Sequence, residues 1–165
     1  MIEIIKSFYN SGALEAEKIY KDGKLDGNIK FYYENGKIKA VANYFLGILE
    51  GSVETFYETG IKESELNYLK NELNGKVSYF YETGKKQYSL NYIRGKLNGT
   101  VITFYKDGKI ESLRNYKLGL LNGICKYYYP NGNLQYELNY KDGKICKDMK
   151  VYNEDGKLEL EVKSK

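Results

Sequence analysis

Residues 27–51 read GNIKFYYENGKIKAVANYFLGILEG. Two runs rich in aromatic and β-branched residues, 27–33 and 38–44, flank an Asn35-Gly36 pair, the short-range signature of a β-hairpin. The segment from Phe45 to Glu50 then leads into Gly51, where the pattern starts again. A two-residue loop at Asn35-Gly36 sets Tyr33 against Ile38, Phe31 against Ala40, Ile29 against Ala42 and Gly27 against Tyr44. These positions make one apolar side, on which the Tyr44 ring covers the bare backbone of Gly27. Lys30, Glu34, Lys37, Lys39 and Asn43 fall on the other side and face water.

The same reading extends along the whole chain. Glycine stands at 12, 36, 60, 84, 108, 132 and 156, an unbroken step of 24. Two further glycine series, beginning at Gly23 and Gly27, share that period, and the three series together account for all 17 glycines. Tyr9, Tyr33, Tyr57, Tyr81, Tyr105 and Tyr129 form a fourth series, and Tyr20, Tyr44, Tyr68, Tyr92, Tyr116 and Tyr140 a fifth. A fixed period of this length marks a repeat architecture. The expectation is an all-β chain, an elongated open antiparallel sheet of tandem hairpins with about 14 strands, which at 4.8 Å per strand spans roughly 65 Å. Residues 1–165 form a single repeat domain of about seven 24-residue units with atypical capping strands at both ends. Glu3 and Lys147 stand where internal units have glycine, Asn153 replaces a tyrosine, and the charged strand Leu158 to Lys165 discourages edge pairing. The connection typified by Gly95-Lys96-Leu97-Asn98-Gly99 reads as a longer loop or bulge with its leucine turned inward.

Composition narrows the function. The chain has no histidine, which removes the usual general base at neutral pH and the commonest metal ligand. Every Asp and Glu recurs as a turn or water-facing residue, so no catalytic residue, metal site or cofactor is expected, and the chain is not read as an enzyme. Net charge is +4, spread without a basic block, and the arginines are only Arg94 and Arg114, which disfavours nucleic acid as a partner. Cys125 and Cys146 lack metal or redox spacing and are expected to be free thiols. Residues 1–9 do not resemble a signal peptide and no segment approaches 18 apolar residues, which points to a cytoplasmic location.

The segments YYENGKIKAVANYFLGILEG (32–51), FYETGKKQYSLNYIRGKLNG (80–99) and YYPNGNLQYELNYKDGK (128–144) resemble MORN (membrane occupation and recognition nexus) repeats. The likeness is closest to the bacterial variant repeat of YwqK-like antitoxins. That resemblance covers essentially the whole chain. It implies an extended antiparallel sheet used for protein contacts, oligomerisation and sometimes membrane association, with any catalysis supplied by other domains.

One row departs from simple alternation. The residue four before the first glycine is aromatic in every unit: Phe8, Tyr32, Phe56, Phe80, Phe104, Tyr128 and Tyr152. Tyr32, Phe56, Phe80, Phe104 and Tyr128 are candidates for a partner-binding stripe, because exposed aromatics are favoured binding anchors. The structural alternative is that these rings stack between adjacent hairpins, as any feature needed for folding must recur in every unit. Lys37, Lys85, Lys109 and Lys157 follow the first glycine and could form a basic rim, although neighbouring acids favour a solubilising role. The functional expectation is a non-catalytic protein-interaction or scaffold module, with antitoxin-like or immunity-like neutralisation of a protein partner as its form. A peripheral membrane or secreted adhesion factor is the alternative, and self-association through sheet edges is a further route to assembly.

Overall fold

A computed structural model of the chain describes residues 1–163 and every side chain among them except that of Lys147. Ser164 and Lys165, the end of the expected last strand, lie outside the described residues. The fold is all-β, and every pairing described is antiparallel, between strands that are consecutive or separated only by a two-residue strand. Two compact units divide it, Met1–Gly84 and Lys85–Lys165. The first holds β1 (Ile2–Phe8), β2 (Leu14–Lys21), β3 (Lys24–Leu25), β4 (Gly27–Tyr32), β5 (Ile38–Phe45), β6 (Ile48–Phe56), β7 (Lys62–Leu69), β8 (Glu72–Leu73) and β9 (Gly75–Phe80). The second holds β10 (Lys86–Ile93), β11 (Lys96–Leu97), β12 (Gly99–Phe104), β13 (Ile110–Lys117), β14 (Leu120–Leu121), β15 (Gly123–Tyr128), β16 (Leu134–Lys141), β17 (Lys144–Tyr152) and β18 (Leu158–Val162). The two-residue strands β3, β8, β11 and β14 each precede a strand that begins at a bulge glycine. Joined to the strands that follow them, they leave the 14 strands read from the repeat.

Register agrees with the sequence over most of each hairpin: Gly27 pairs with Tyr44, Ile29 with Ala42 and Phe31 with Ala40. Gly51–Tyr68, Gly99–Tyr116 and Gly123–Tyr140 repeat the glycine–tyrosine pairing. Ala16, Ile29, Ala42 and Val77 are buried in the first unit, and Val101 and Cys125 in the second, all on the side expected to be apolar. Ser64, Thr103 and Ser112 are buried on the same side. The Thr55 and Ser64 hydroxyls bond each other at 2.7 Å, and those of Thr103 and Ser112 at 2.8 Å, so small polar residues fill the row without leaving a donor unpaired.

The turns differ from the sequence reading. At Asn35-Gly36 the loop holds three residues: Gly36 N donates to Tyr33 O at 2.9 Å and Tyr33 N to Lys37 O at 2.8 Å. Tyr32, rather than Tyr33, pairs with Ile38, and a bulge separates that pair from Phe31–Ala40. This is a type I turn closed by a left-handed glycine, Gly36 at φ 81°, while Asn35 is not left-handed. Asn35 is selected for its side chain, whose Oδ1 accepts Lys37 N at 3.0 Å; Asp107 and Asn131 do the same for Lys109 and Asn133. The two-residue loop occurs instead at the second connection. Lys21 pairs with Lys24 around Asp22 and Gly23, whose φ values of 51° and 76° are those of a type I′ turn.

The bulge at the first turn also moves Lys39 from its expected place on the wet side. It is the unpaired extra residue, with Nζ 5.6 Å from the Tyr33 ring centroid. Its counterparts are Glu63, whose Oε2 accepts the hydroxyl of Thr55 at 2.9 Å, and Glu111 and Gln135 in the second unit. A bulge thus re-aims one side chain per repeat toward the face that carries the buried row.

Candidate functional site

The expected stripe lies at the ends of β4, β6, β9, β12 and β15. Tyr32, Phe56, Phe80, Phe104 and Tyr128 are all half-buried. Tyr32, Phe104 and Tyr128 have Ile38, Ile110 and Leu134 as cross-strand neighbours, and Phe56 has Lys62. Their backbone carbonyls form joints between repeats: the phenols of Tyr9, Tyr33, Tyr57 and Tyr105 donate to Tyr32, Phe56, Phe80 and Tyr128 O at 2.6–2.7 Å. This explains the fixed 24-residue tyrosine, and it uses stripe backbone rather than stripe rings. Burial, reinforced by Glu63 beside Tyr33 and Tyr57 and by Glu111 beside Tyr105, holds the phenols of Tyr33, Tyr57 and Tyr105 above the ordinary tyrosine pKa.

The lysines after the first glycine serve the same end. Lys37, Lys85 and Lys109 Nζ donate to Thr59, Asp107 and Pro130 O at 2.7–2.8 Å, tying each turn to the next. The recurring asparagines likewise close bulges, as Asn43 and Asn67 Nδ2 reach Ser52 and Lys76 O at 2.8 and 2.7 Å. Between these two sets of joints the wet face carries ion pairs: Lys6–Glu17, Lys62 with Glu54 and Glu65, and Glu137 with Lys126 and Lys150. Exposed pairs of this kind fix register more than they stabilise.

Each unit also has an apolar surface at the opposite strand ends, which the strand pattern does not show. Around the type I′ turns the first unit exposes Phe45, Leu46, Ile48 and Leu69, and the second exposes Ile93, Leu118, Leu120 and Ile145. Leu46 and Leu118 hold φ of 50°, a left-handed conformation that disfavours a leucine. Their amides are held by the side chains of Asp26 at 3.1 Å and Asn98 at 3.3 Å. Lys70, Arg94, Lys96, Lys117 and Lys141 stand among these apolar residues. The sequence signal was present in the position before the second glycine, which is Asp22, Leu46, Lys70, Arg94, Leu118 and Asp142 in successive units.

The third feature is a pocket of about 310 Å³ in the second unit, lined by Tyr88, Thr103, Tyr105, Glu111, Ser112, Arg114, Tyr127, Tyr128 and Gln135. Thr103 and Ser112 form its floor because two small residues meet there, with Tyr127 the cross-strand neighbour of Ser112 and Tyr88 that of Thr103. Arg114 belongs to the innermost row, opposite buried Val101, and its Nε is buried without a hydrogen-bond partner. Burial raises the Cys125 thiol and the Tyr127 phenol, while the Arg114 charge pulls both back down. Cys125 and Cys146 are both free. Among the described residues no group of three or more Cys, Asp or Glu is placed to hold a metal ion.

No curated protein matches this chain. The profile of the MORN repeat variant matches residues 25–45, 49–70, 73–94, 97–118 and 121–142, five tandem copies spanning more than half the chain. Each copy begins at or beside the bulge of the second connection, passes through the three-residue turn and closes at the next type I′ turn. The unit recognised is therefore the hairpin pinned by the tyrosine and lysine joints, and the chain belongs to the MORN repeat variant family.

Proposed function

We propose that this chain is a non-catalytic scaffold that binds a protein partner, with antitoxin-like or immunity-like neutralisation as the form that binding takes. Repeats of this type are in general protein- or membrane-interaction modules, and the repeat itself is of a non-enzymatic kind. The observation that carries the reading is the pair of exposed leucines held left-handed, Leu46 and Leu118. Asn, Asp or Gly suits that position best; Lys70 and Arg94 share the strain, but only the leucines add to it an apolar side chain left in water, which supports a role outside the fold. Aliphatic side chains on the turn rim and aromatic rings of the stripe (Tyr32, Phe56, Phe80, Phe104, Tyr128) border a charged strip, the arrangement of apolar anchors beside polar surface found in protein interfaces.

The basic residues interleaved on the rim favour a second reading, peripheral attachment to an anionic lipid surface. The two are separated by presenting the purified chain to a lysate of its source and, in parallel, to phosphatidylserine-containing and phosphatidylcholine vesicles. A stoichiometric complex with one protein, weakened by Tyr32→Leu with Phe80→Leu or by substitution at the rim, supports the first reading. Sedimentation with the anionic vesicles alone supports the second, and binding to neither contradicts both.

A further inference from the structure

We propose that the pocket around Arg114 is a carboxylate-binding site, filled by an acidic side chain on an extended segment of a partner protein. The repeat supplies its own control. At the position of Arg114 the other internal units have Ala42, Leu66, Leu90 and Leu138, so the hairpin has no structural need of a guanidinium there. The side chain lies between buried Val101 and buried Cys125, and among the described residues no ion pair of the second unit includes it. Nε is sealed, so an incoming acceptor meets the Nη nitrogens, which suits a carboxylate arriving end-on.

The rest of the lining selects among anions. Glu111, turned into the pocket by its bulge, sets a negative charge at the site and disfavours phosphate dianions and nucleic acid backbones. The same carboxylate accepts hydrogen bonds, so a peptide offers it amide donors while presenting its own acid to Arg114. Tyr127 gives ring surface for the aliphatic part of a Glu or Asp, and about 310 Å³ admits a side chain with its adjoining backbone.

The proposal rests on the protein-partner reading only for the source of the carboxylate, and the test keeps the two apart. The full chain, ¹⁵N-labelled, is titrated with a blocked Gly/Ser peptide bearing one central Glu, with its Gln counterpart, and with acetate, following the Arg114 Nε–Hε and Tyr127 signals. The Glu peptide is expected to give saturable shifts, the Gln peptide none, and acetate a weaker response. Arg114→Leu, which restores the residue type of 66, 90 and 138, should stay folded and lose the Tyr127 response. Glu111→Gln should tighten the Glu peptide several-fold. Equal shifts from the Glu and Gln peptides, or an undiminished response in Arg114→Leu, would overturn the site. Acetate binding as tightly as the peptide would overturn the peptide source and leave the carboxylate site standing. Should Arg114→Leu fail to fold, Glu111→Gln decides, since an unchanged affinity contradicts the placement of the ligand beside Glu111.

Discussion

Leu46 and Leu118 occupy a turn position that other units fill with Asp22, Lys70, Arg94 and Asp142, all with φ near 50°. Gly84, at φ 80°, is the same constraint in its strictest form, because a β-branched side chain is excluded from that region. Gly84→Val should lower stability by about 2 kcal/mol or more. Lys85→Ala removes only an exposed bond to Asp107 O and should lower it by less than about 1 kcal/mol. Urea denaturation of the two variants checks the pair, and equal midpoints would refute the turn geometry. Tyr57→Phe deletes the phenol that reaches Phe80 O at 2.7 Å, a loss of about 0.5–1.5 kcal/mol. Cys125 is wholly buried with its thiol pKa raised, so a maleimide should label Cys146 at neutral pH and reach Cys125 only after unfolding. Intact-mass measurement of the labelled chain reads that difference directly.

At the scale of the element, hairpin, period and apolar side were legible because glycine and tyrosine recur at a fixed step and strands alternate by two. Turn type was not legible, because Asn-Gly serves two turns. As the centre of a type I′ loop both residues are left-handed, whereas here Asn35 closes its own turn through Oδ1 and only Gly36 is left-handed. The one-residue difference turns Lys39, Glu63 and Glu111 onto the other face, so strand alternation alone puts Glu111 on the wet side and does not show the pocket. Arg114 could have been found from sequence by following its column through Ala42, Leu66, Leu90 and Leu138. The rim shows in the same way, as the leucines of the column Asp22, Leu46, Lys70, Arg94, Leu118 and Asp142, but the strain at Leu46 and Leu118 does not, since it depends on φ. The stripe was legible as a recurrence, but its shared role, accepting a phenol from the preceding repeat, depends on backbone geometry. Thr59 and Thr83, weak as turn formers, follow from the same geometry, because threonine offers a poorer acceptor to the residue two places on.

For the molecule as a whole, three of the tyrosine joints and the ion-paired Lys62 shape its response to alkaline pH. The phenols of Tyr33, Tyr57 and Tyr105 hold their protons above the free value of 10.0, chiefly through burial, and Lys62 is held above 10.5 by hydrogen bonds to Glu65 and Glu54. In each case the protonated form is favoured by the fold, so this stability is complete below the unfolded pKa and is lost as pH rises through the folded one. The urea midpoint should be level from about pH 7 to about pH 9 and fall above about pH 10.

The claim that rim strain is retained for binding is tested most directly by the double variant Leu46→Asn and Leu118→Asn, measured for both stability and binding. Asparagine tolerates the left-handed region, so each change should raise stability by about 0.5–1 kcal/mol. The same variant should lose the partner or vesicle binding of the parent chain. A variant that is more stable and no longer binds is the expected result; one that binds as tightly as the parent would contradict the assignment of the rim as the contact surface.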